Sequence, residues 1–482
     1  MKKLNYFSPL PPIKSGISDY SAELLEELQK YFDIIAYIDN NYNPKERKNI
    51  KIKNYKKFNN NAPTIYNIGN SEEHSYIYYS LMKTPGIVIL HDENLEGLKF
   101  FVAKKVKEKL LENGWYQIEE DKGFKFRWTK KKVFFNINEP TTELILDVYT
   151  EYPATLTVFI NKTKNKFKLK QDKHKTITIK TNQEDKLRVK LKISKPLSFI
   201  SQIRDPHFRS MGIRIYGIRY KIDNEYKKID LNLEGKIDIS QKIVNSSNGI
   251  VTHSEYLKKQ VKKINPKVPV KSINEGVYLN KPEIPKEIIR KKLGLEKYDF
   301  IICSFGKIQK HKRIEQALQA FSNFSKKNNS IYILIGESDK TINIKKIIKK
   351  YDLQKKVITT GYIDFKKAIE YIYSSDICIN LRWPTTGGTS ATLIKSLSIG
   401  TPCIITDLPE NEQFPESCVF KIKKDEEEIK NIINALQYLK QNPRKQEEMS
   451  LSSLKYIEEN HLWKDKAKEI ADFVNEIYEN KL

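Results

Sequence analysis

Residues 381–407, LRWPTTGGTSATLIKSLSIGTPCIITD, limit more strictly than any other stretch how this chain can fold. An apolar run at 377–379 leads into a turn of Pro, Thr and Gly, and a helical pattern of apolar residues follows the turn. Gly400 ends that pattern, and a second apolar run begins directly after it. This order predicts a strand–helix–strand unit with parallel strands, the building block of an α/β fold.

The turn before that helix predicts an anion site. Gly387, Gly388, Thr389 and Ser390 would present backbone amides at the start of the helix, where unpaired N–H groups and the helix dipole favour negative charge. A phosphate-bearing ligand is the first candidate. The alternative is a capped turn that binds nothing.

Length and composition indicate a folded protein with several domains. The chain has 482 residues, of which 39% are apolar, and this length suggests about three domains. We find neither a leader peptide nor an apolar run of ~18 residues, so we expect a cytosolic protein. The cysteines occur singly and without metal-binding spacing, so we expect buried free thiols. They are Cys303, Cys378, Cys403 and Cys418.

The net charge of +26 could attract nucleic acid, an anionic membrane or negatively charged substrates. The lysines are scattered, and we find no dense basic stripe interleaved with aromatic residues. We therefore expect no nucleic-acid partner. Peripheral contact with an anionic membrane remains open.

The first forty residues read as the opening of a doubly wound sheet. A strand at 4–7 is followed by a Pro-rich loop that contains Gly16, then by a helix and a second strand at 34–38. Ligands of such sheets lie at the carboxyl ends of strands. Gly16 would let the loop approach a ligand closely, although an ordinary turn glycine is the alternative reading.

Two further buried strands are predicted at 64–68 and 87–90, and polar residues follow each of them. Asn67, Gly69, Asn70 and His74 surround the first, and His91, Asp92, Glu93 and Asn94 follow the second. Polar groups at strand ends point to a cleft. His91 could bind a sugar or transfer a proton, or it could be a structural capping residue.

From about residue 113 the pattern changes to many short alternating runs, which predict an antiparallel β-sandwich or barrel inserted in the α/β pattern. Trp115 and Trp128 could stack on sugar rings, but we favour the interpretation that they fill a core or dock the module.

The C-terminal half returns to a regular strand–turn–helix alternation, which predicts a second parallel sheet. A strand at 300–305 ends in Gly306 and Lys307, and Lys310, Lys312 and Arg313 stand at the start of the next helix. Positive charge at a helix start predicts a second anion site, with solvated surface as the alternative.

Seven motifs in this order resemble one family. They are FSPLPPIKSGISDYS, YNIGN, ILHDENL, VTHSEYL, SFGKIQKHKRI, VITTGYID and RWPTTGGTSATLIKSLSIGTPCIITD. Together they are similar to the retaining GT-B glycosyltransferases of the family 4 (glycosyl transferases group 1) type. The resemblance covers the chain outside the β insert and implies two Rossmann-like domains that face a cleft, with a last helix that crosses back to the N-terminal one. Together with the alternating runs, it predicts the ranges 1–110 and 223–272 for the N-terminal domain, 111–222 for the insert, 273–455 for the C-terminal domain and 456–482 for the last helix.

The resemblance also implies roles for single residues. Lys307 and Lys312 would hold the diphosphate of a nucleotide-sugar donor, with Gly16 and the amides of Thr389 and Ser390, and His91 would lie near the transferred sugar. The donor sugar and nucleotide would contact Gly387, Gly388, Lys395 and Gly361. The acceptor side would be formed by Asn70, His74 and Asp92.

The sequence departs from this family at its acidic positions. The family commonly has two glutamates eight positions apart, where this chain has Gly387 and Lys395, and the glutamate of a Gly-Glu-Thr-Ser variant is here Gly388. A carboxylate for the donor sugar would have to come from elsewhere, with Glu410 and Glu412 as candidates, or catalysis has been lost.

The resulting expectation is a transferase that moves a sugar from a nucleotide-diphosphate sugar to a glycan, lipid-linked or protein-linked acceptor. No Asp-x-Asp pair occurs in the chain, so we expect neither a metal ion nor a cofactor. The alternative is a catalytically degenerate GT-B protein that binds glycans or serves as a scaffold.

Overall fold

The computed structural model describes residues 1–39, 44, 47, 49–102, 115–121, 124–161, 163–184, 186–194, 212–229 and 238–479. They form two compact units. One unit consists of Met1–Leu95 together with Ser240–Leu482, and the other is Glu96–Ile239. Residue 111, the expected first residue of the insert, lies outside the described residues.

The N-terminal α/β domain begins with five parallel strands. These are β1 (Lys2–Phe7), β2 (Phe32–Ile38), β3 (Ile50–Asn54), β4 (Thr64–Ile68) and β5 (Ile87–Leu90). Helix α1 (Gly16–Leu28) joins β1 to β2, and helix α2 (Ser75–Lys83) lies between β4 and β5. The hydroxyl of Ser15 accepts a hydrogen bond from the amide of Ser18 and so caps α1. The loop that contains Gly16 therefore lies at the carboxyl end of β1, as predicted.

The second unit contains two antiparallel sheets. Its strands are β6 (Trp115–Asp121), β7 (Phe124–Thr129), β8 (Lys132–Ile137), β9 (Thr141–Thr150), β10 (Ala154–Ile160), β11 (Thr163–Leu169), β12 (Lys173–Glu184), β13 (Leu187–Ile193), β14 (Arg214–Ile222) and β15 (Glu225–Ile229). One sheet has the order β11-β10-β13-β8, and the other has the order β12-β9-β14-β7-β6 with β15 paired to β14. Apolar side chains of both sheets share one core, which makes the unit a sandwich.

Two details of the sandwich bear on the sequence predictions. The sequence predicted that the α/β domain resumes at residue 223. Strand β15 pairs with β14, however, so residues 225–229 still belong to the sandwich. Trp115 packs against the shared core and donates a hydrogen bond from its indole nitrogen to the carbonyl of Phe134 at 2.9 Å. Trp128 is also buried, and its ring contacts Phe126.

After the sandwich, the chain completes the first sheet. Helix α3 (Ile239–Asn245), strand β16 (Gly249–Thr252), helix α4 (Glu255–Ile264) and strand β17 (Val270–Ser272) follow one another. The full sheet has seven strands in the order β17-β16-β5-β4-β1-β2-β3. The strand order reverses between β1 and β4, and the loops that follow these two strands carry Gly16 and Asn70. Such a switch point is where open α/β sheets bind ligands.

The C-terminal domain is a second parallel α/β domain. Its strands are β18 (Phe300–Phe305), β19 (Ser330–Ile335), β20 (Val357–Thr359), β21 (Ile377–Asn380), β22 (Cys403–Thr406) and β23 (Val419–Ile422). Its helices are α5 (Lys286–Lys292), α6 (Ile314–Phe324), α7 (Ile344–Lys350), α8 (Phe365–Ser374), α9 (Ala391–Leu397) and α10 (Glu428–Gln441). The sheet order is β20-β19-β18-β21-β22-β23, which puts the switch point between β18 and β21. All four cysteines are buried free thiols in this domain, as predicted.

The chain ends with helix α11 (Pro443–Asn460) and helix α12 (Trp463–Glu479). The two helices are separated by a break at His461 and Leu462. The ring of His461 hydrogen bonds with the carbonyl of Glu275 through Nδ1 at 2.8 Å. Helix α12 buries Trp463 and Phe473 in the core of the N-terminal domain. The last helix therefore returns from the C-terminal to the N-terminal domain.

Candidate functional site

The turn after β21, at the switch point of the C-terminal domain, meets the end of β5 in the N-terminal domain. The carbonyl of Thr386 accepts hydrogen bonds from the amides of Glu93 at 2.8 Å and Asn94 at 3.0 Å. The hydroxyl of Thr386 donates to the carboxylate of Asp92 at 2.6 Å, and the hydroxyl of Thr389 donates to the carbonyl of His253 at 3.1 Å. The predicted anion loop is therefore in direct contact with the N-terminal domain.

This contact explains why glycine stands at 387 and 388. A Cβ atom on Gly388 would lie 2.4 Å from the carbonyl oxygen of His91 and 2.8 Å from the carboxylate of Asp92. A Cβ atom on Gly387 would lie 2.7 Å from the Glu93 side chain, and Gly387 has a φ of +73°, which disfavours other residues. In this arrangement neither position has room for a glutamate side chain.

Ser390 serves mainly to shape the turn. Its buried hydroxyl caps helix α9 by accepting a hydrogen bond from the amide of Leu393, and it accepts another from Arg382 at 2.8 Å. The amide of Arg382 donates to the hydroxyl of Thr406 at 2.9 Å. The first residues after β21 are thereby fixed to β22 and to the start of α9.

Two cations lie at the switch point of the C-terminal domain. Lys312, just before α6, donates to the carbonyl of Phe305 at 3.2 Å. Burial and the neighbouring charge of Arg382 lower the pKa of the Lys312 ammonium to about 7. Burial also lowers the pKa of Arg382, whose buried Nε has no hydrogen-bond partner among the described residues. Among these residues, no carboxylate lies within ion-pair distance of either cation.

Lys307 occupies a different environment from Lys312. Its side chain is 56% exposed, and its ammonium pairs with Asp339 at 3.2 Å. Hydrogen bonds from Thr341 and the charge of Lys307 lower the pKa of Asp339 to about 2. The ammonium of Lys307 is thus already matched by a carboxylate, whereas that of Lys312 is not.

His91 stands at the end of β5 with its ring packed between Tyr20 and His253, at centroid distances of 4.8 and 4.9 Å. Its Nε2 hydrogen bonds with the side-chain oxygen of Asn67 at 2.5 Å. The amide nitrogen of Asn67 donates to hydroxyl groups, including that of Ser21, so the Asn67 oxygen is the acceptor and His91 Nε2 carries the proton. Burial and the other histidines hold the pKa of His91 well below its usual value. The ring is therefore neutral, with Nδ1 as its acceptor.

The other predicted site residues of the N-terminal domain have different positions. Asp92 faces the C-terminal turn through Thr386, and burial raises the pKa of its carboxyl group. Asn70 is half-buried after β4. His74, predicted on the acceptor side, instead lies in the core, where it is 1% exposed and its Nδ1 hydrogen bonds with the carbonyl of Asn67. Gly16 begins α1 and faces open space.

Gly361 and Lys395 lie where the C-terminal domain approaches the loop and helix that follow β1. Gly361 has a φ of +65°, and a Cβ atom added there would meet nothing within 4 Å. The ammonium of Lys14 lies 4.0 Å from the centroid of the ring of the next residue, Tyr362. Lys395 pairs with Glu23 of α1 at 3.2 Å.

The carboxylates that could serve the site lie in different environments. Glu410 accepts a hydrogen bond from Thr385 and is 2% exposed, while Glu412 lies on the surface. Glu93 accepts a hydrogen bond from the hydroxyl of Tyr256 at 2.7 Å. Glu275, which the sequence reasoning missed, is buried, and the loss of solvation raises its pKa to about 8.

Two negative findings apply to the described residues. No group of three or more His, Cys, Asp or Glu side chains could hold a metal ion. Over the same ranges, no helix is both long and apolar enough to cross a membrane.

Two parallel α/β domains that meet at the turn after β21, with the last helix returning to the first domain, define the GT-B class of fold. Residues 285–454 match the family model described as "Glycosyl transferases group 1". A sucrose-phosphate synthase from Thermosynechococcus elongatus has the same fold, with a TM-score of 0.60 over 100% of both chains at 12% identity. Alr3699/HepE of Anabaena, solved in complex with UDP, has a TM-score of 0.53 over 99% of this chain and 100% of its own, at 9% identity.

A curated relative agrees with the family match. The chain is 27% identical over 164 residues to an alpha-monoglucosyldiacylglycerol synthase of Streptococcus pneumoniae, which covers 33% of this chain and 37% of the relative. The chain thus spans about a third to a half of the length of the curated relatives it matches.

Proposed function

We propose that this protein is a glycosyltransferase that moves a sugar from a nucleoside-diphosphate sugar to a glycan, lipid-linked or protein-linked acceptor. The observation that carries the proposal is the pair of cations at the switch point of the C-terminal domain. Lys312 and Arg382 have carbonyl and hydroxyl partners, and no described carboxylate pairs with either. Asp92, Glu275 and Glu410 act on Arg382 only from beyond ion-pair distance. Partly buried cations without a direct ion-pair partner are costly, and a bound diphosphate would supply negative charge in direct contact with both.

The same cations suit the chemistry of sugar transfer. When the bond between sugar and diphosphate breaks, negative charge develops on the departing phosphate. Fixed positive groups at that place stabilise the transition state more than the ground state. Because the pKa of Lys312 is about 7, the approach of a phosphate favours its charged form. The two cations could therefore do the work of a divalent ion, and we propose a metal-independent reaction.

His91 and Asp92 would face the transferred sugar. The neutral ring of His91 keeps Nδ1 as an acceptor, because its Nε2 proton is directed to Asn67. The Asp92 carboxylate lies beside the turn that would hold the donor. Such groups can bind sugar hydroxyls without proton transfer. By its resemblance to the family 4 type, we propose that the reaction retains the configuration at the anomeric carbon.

The relatives support a choice of first substrates. Because Alr3699/HepE was solved with UDP, UDP-sugars are the first donors to test. The matched synthase has a glucosylated diacylglycerol in its name, so lipid acceptors come first. The net charge of +26 supports peripheral contact with an anionic membrane, where such acceptors reside.

The test is an activity panel on the purified full chain. UDP-, GDP-, dTDP- and ADP-sugars would be incubated with and without diacylglycerol vesicles and oligosaccharide acceptors, and the released nucleoside diphosphate measured. We expect release with at least one donor, unaffected by EDTA, and a product whose anomeric configuration by NMR equals that of the donor. The proposal fails if no donor is turned over and no nucleoside diphosphate binds.

One observation favours a second candidate, a degenerate GT-B protein. The turn at Gly387 and Gly388 is packed against residues 91–93, so the acidic groups that the family places on this turn are absent and have no space. If the protein is degenerate, it would bind a nucleoside diphosphate but would turn over none of the nucleotide sugars in the panel.

A further inference from the structure

The outer face of the six-stranded sheet in the sandwich has an unusual surface. Along β9, Leu146 and Val148 point into the shared core, while Asp147 and Tyr149 alternate to the opposite face. Polar side chains are expected on the solvated face of such a sheet. This face instead gathers aromatic rings from four strands, β7, β9, β12 and β14.

The rings form a continuous cluster. The His174 ring lies 4.9 Å from Tyr149 and 4.7 Å from Tyr216, and Tyr216 lies 5.2 Å from Phe126. The guanidinium of Arg214 stands 4.7 Å above the Phe126 ring. The cluster is therefore packed and held in place.

A pocket opens on this cluster. Its volume is about 570 Å³, within the range of roughly 300–1,000 Å³ for small-molecule sites. Tyr149, His174 and Tyr216 line it. The ring of Phe124, which is 68% exposed, stands at its edge. An exposed aromatic ring beside a pocket is ready to stack on a flat ligand at little entropic cost.

The charges in the pocket balance. Two aspartates, Asp121 and Asp147, and two cations, Lys175 and Arg214, line it. In a chain with a net charge of +26, this local neutrality argues against a phosphate or a nucleic acid, because either would meet the carboxylates.

The charged groups are also fixed in direction. Arg214 pairs with Asp121 at 3.1 Å. Asp147 accepts hydrogen bonds from Thr176 at 2.8 Å and from Arg219 at 3.1 Å. A ligand that fits must be neutral, must have flat apolar faces for the rings, and must offer hydroxyl groups that both donate and accept hydrogen bonds.

We propose that this pocket binds a neutral oligosaccharide through stacking on Phe124, Tyr149 and Tyr216 and hydrogen bonds to Asp121 and Asp147. The site belongs to the sandwich and does not depend on the transferase activity proposed for the α/β domains. The sandwich thus has a carbohydrate-binding role of its own.

The test is calorimetry on the full chain without nucleotide sugar, using maltohexaose, cellohexaose and chitohexaose as probes. We expect at least one probe to bind, and Phe124→Ala and Tyr216→Ala each to weaken its binding at least tenfold. Tyr226→Ala is the matched control, because Tyr226 is an exposed ring of the same sandwich, 56% exposed and outside the pocket.

Lys312→Ala separates this site from the donor site and should leave oligosaccharide binding unchanged. Unfolding temperatures of all variants verify that the sandwich is intact. The proposal is overturned if none of the probes binds, if the pocket variants bind as tightly as the wild type, or if Lys312→Ala abolishes the binding.

Discussion

Lys395 of the C-terminal domain and Glu23 of the N-terminal domain form an ion pair, with 3.2 Å between Nζ and Oε1. The second carboxylate oxygen of Glu23 accepts a hydrogen bond from the indole of Trp463 at 2.7 Å. Helices α1, α9 and α12 are thereby joined at one carboxylate. The positive charge of Lys395 thus stabilises the contact between the two domains.

A charge exchange tests this role. The Lys395 and Glu23 side chains are 16% and 24% exposed, so the pair should contribute more than the ~1 kcal/mol of a surface pair and less than the ~3–5 kcal/mol lost on breaking a buried one. We expect Lys395→Glu to lower the unfolding temperature, and Lys395→Glu with Glu23→Lys to recover only part of the loss, because a lysine at 23 cannot accept the indole hydrogen bond of Trp463. Thermal unfolding by circular dichroism measures both. No recovery in the double variant would mean that the two charges do not stabilise each other.

A second prediction concerns the close contact at Gly388. We expect Gly388→Ala to destabilise the protein by about 1–3 kcal/mol, because its Cβ would overlap the backbone carbonyl of His91. Gly16→Ala is the matched control for stability, since a Cβ there meets nothing within 4 Å. Chemical denaturation gives both values. Equal stability of the two variants would show that the turn at Gly387 and Gly388 does not pack against residues 91–93 in solution.

A third prediction follows from the pKa of Lys312. At pH 8 most of this amine is neutral, because its pKa is about 7, and a bound diphosphate should restore its proton. Calorimetry of UDP binding in buffers of different ionisation enthalpy should therefore show uptake of close to one proton at pH 8 and less at pH 6.

Three variants distinguish Lys312 from other sources of protons. Lys312→Arg should bind UDP without this proton uptake, and Lys312→Ala should bind about 10–100-fold more weakly, as expected for a lost hydrogen bond to a charged group. Lys327→Ala is the control, because this exposed lysine lies past the far end of α6. Unchanged UDP affinity in Lys312→Ala would remove Lys312 from the donor site.

The sequence was sufficient for most of the fold, because apolar runs alternate regularly with turns and helices in both α/β domains. It also placed His91 and the turn after β21 at the ends of strands, because each follows an apolar run. The far end of the sandwich was missed. Strand β15 (Glu225–Ile229) pairs with β14, but its residues are mostly polar and exposed. Its sequence therefore lacks the alternating apolar pattern by which a strand is recognised.

The site was harder to predict, because it depends on contacts between residues far apart in the chain. Glu23 and Lys395 are 372 positions apart, and no local pattern connects them. His74 follows the end of a strand, as a cleft residue would, but its side chain is buried in the core. Arg382 could have been found, since a lone arginine directly after a buried strand at a switch point is a candidate anion ligand.

The last prediction concerns Glu275, whose carboxyl pKa rises from 4.5 to about 8 because it is buried. Between these values the folded protein holds a proton that the unfolded chain releases. The contribution of Glu275 to stability is therefore fully present below pH 4.5 and is lost as the pH rises toward 8. Glu275→Gln keeps the shape of the protonated side chain but cannot ionise.

We expect the variant and the wild type to differ little at pH 5. At pH 8.5 the variant should be more stable, by on the order of a few kcal/mol, because the wild type must then keep its proton or bury a charge. Denaturation at the two pH values measures the difference, and Glu296→Gln, at an exposed glutamate of the same domain, is the control. A variant that is equally destabilised at both pH values would show that Glu275 is ionised in the folded protein and bound to a partner.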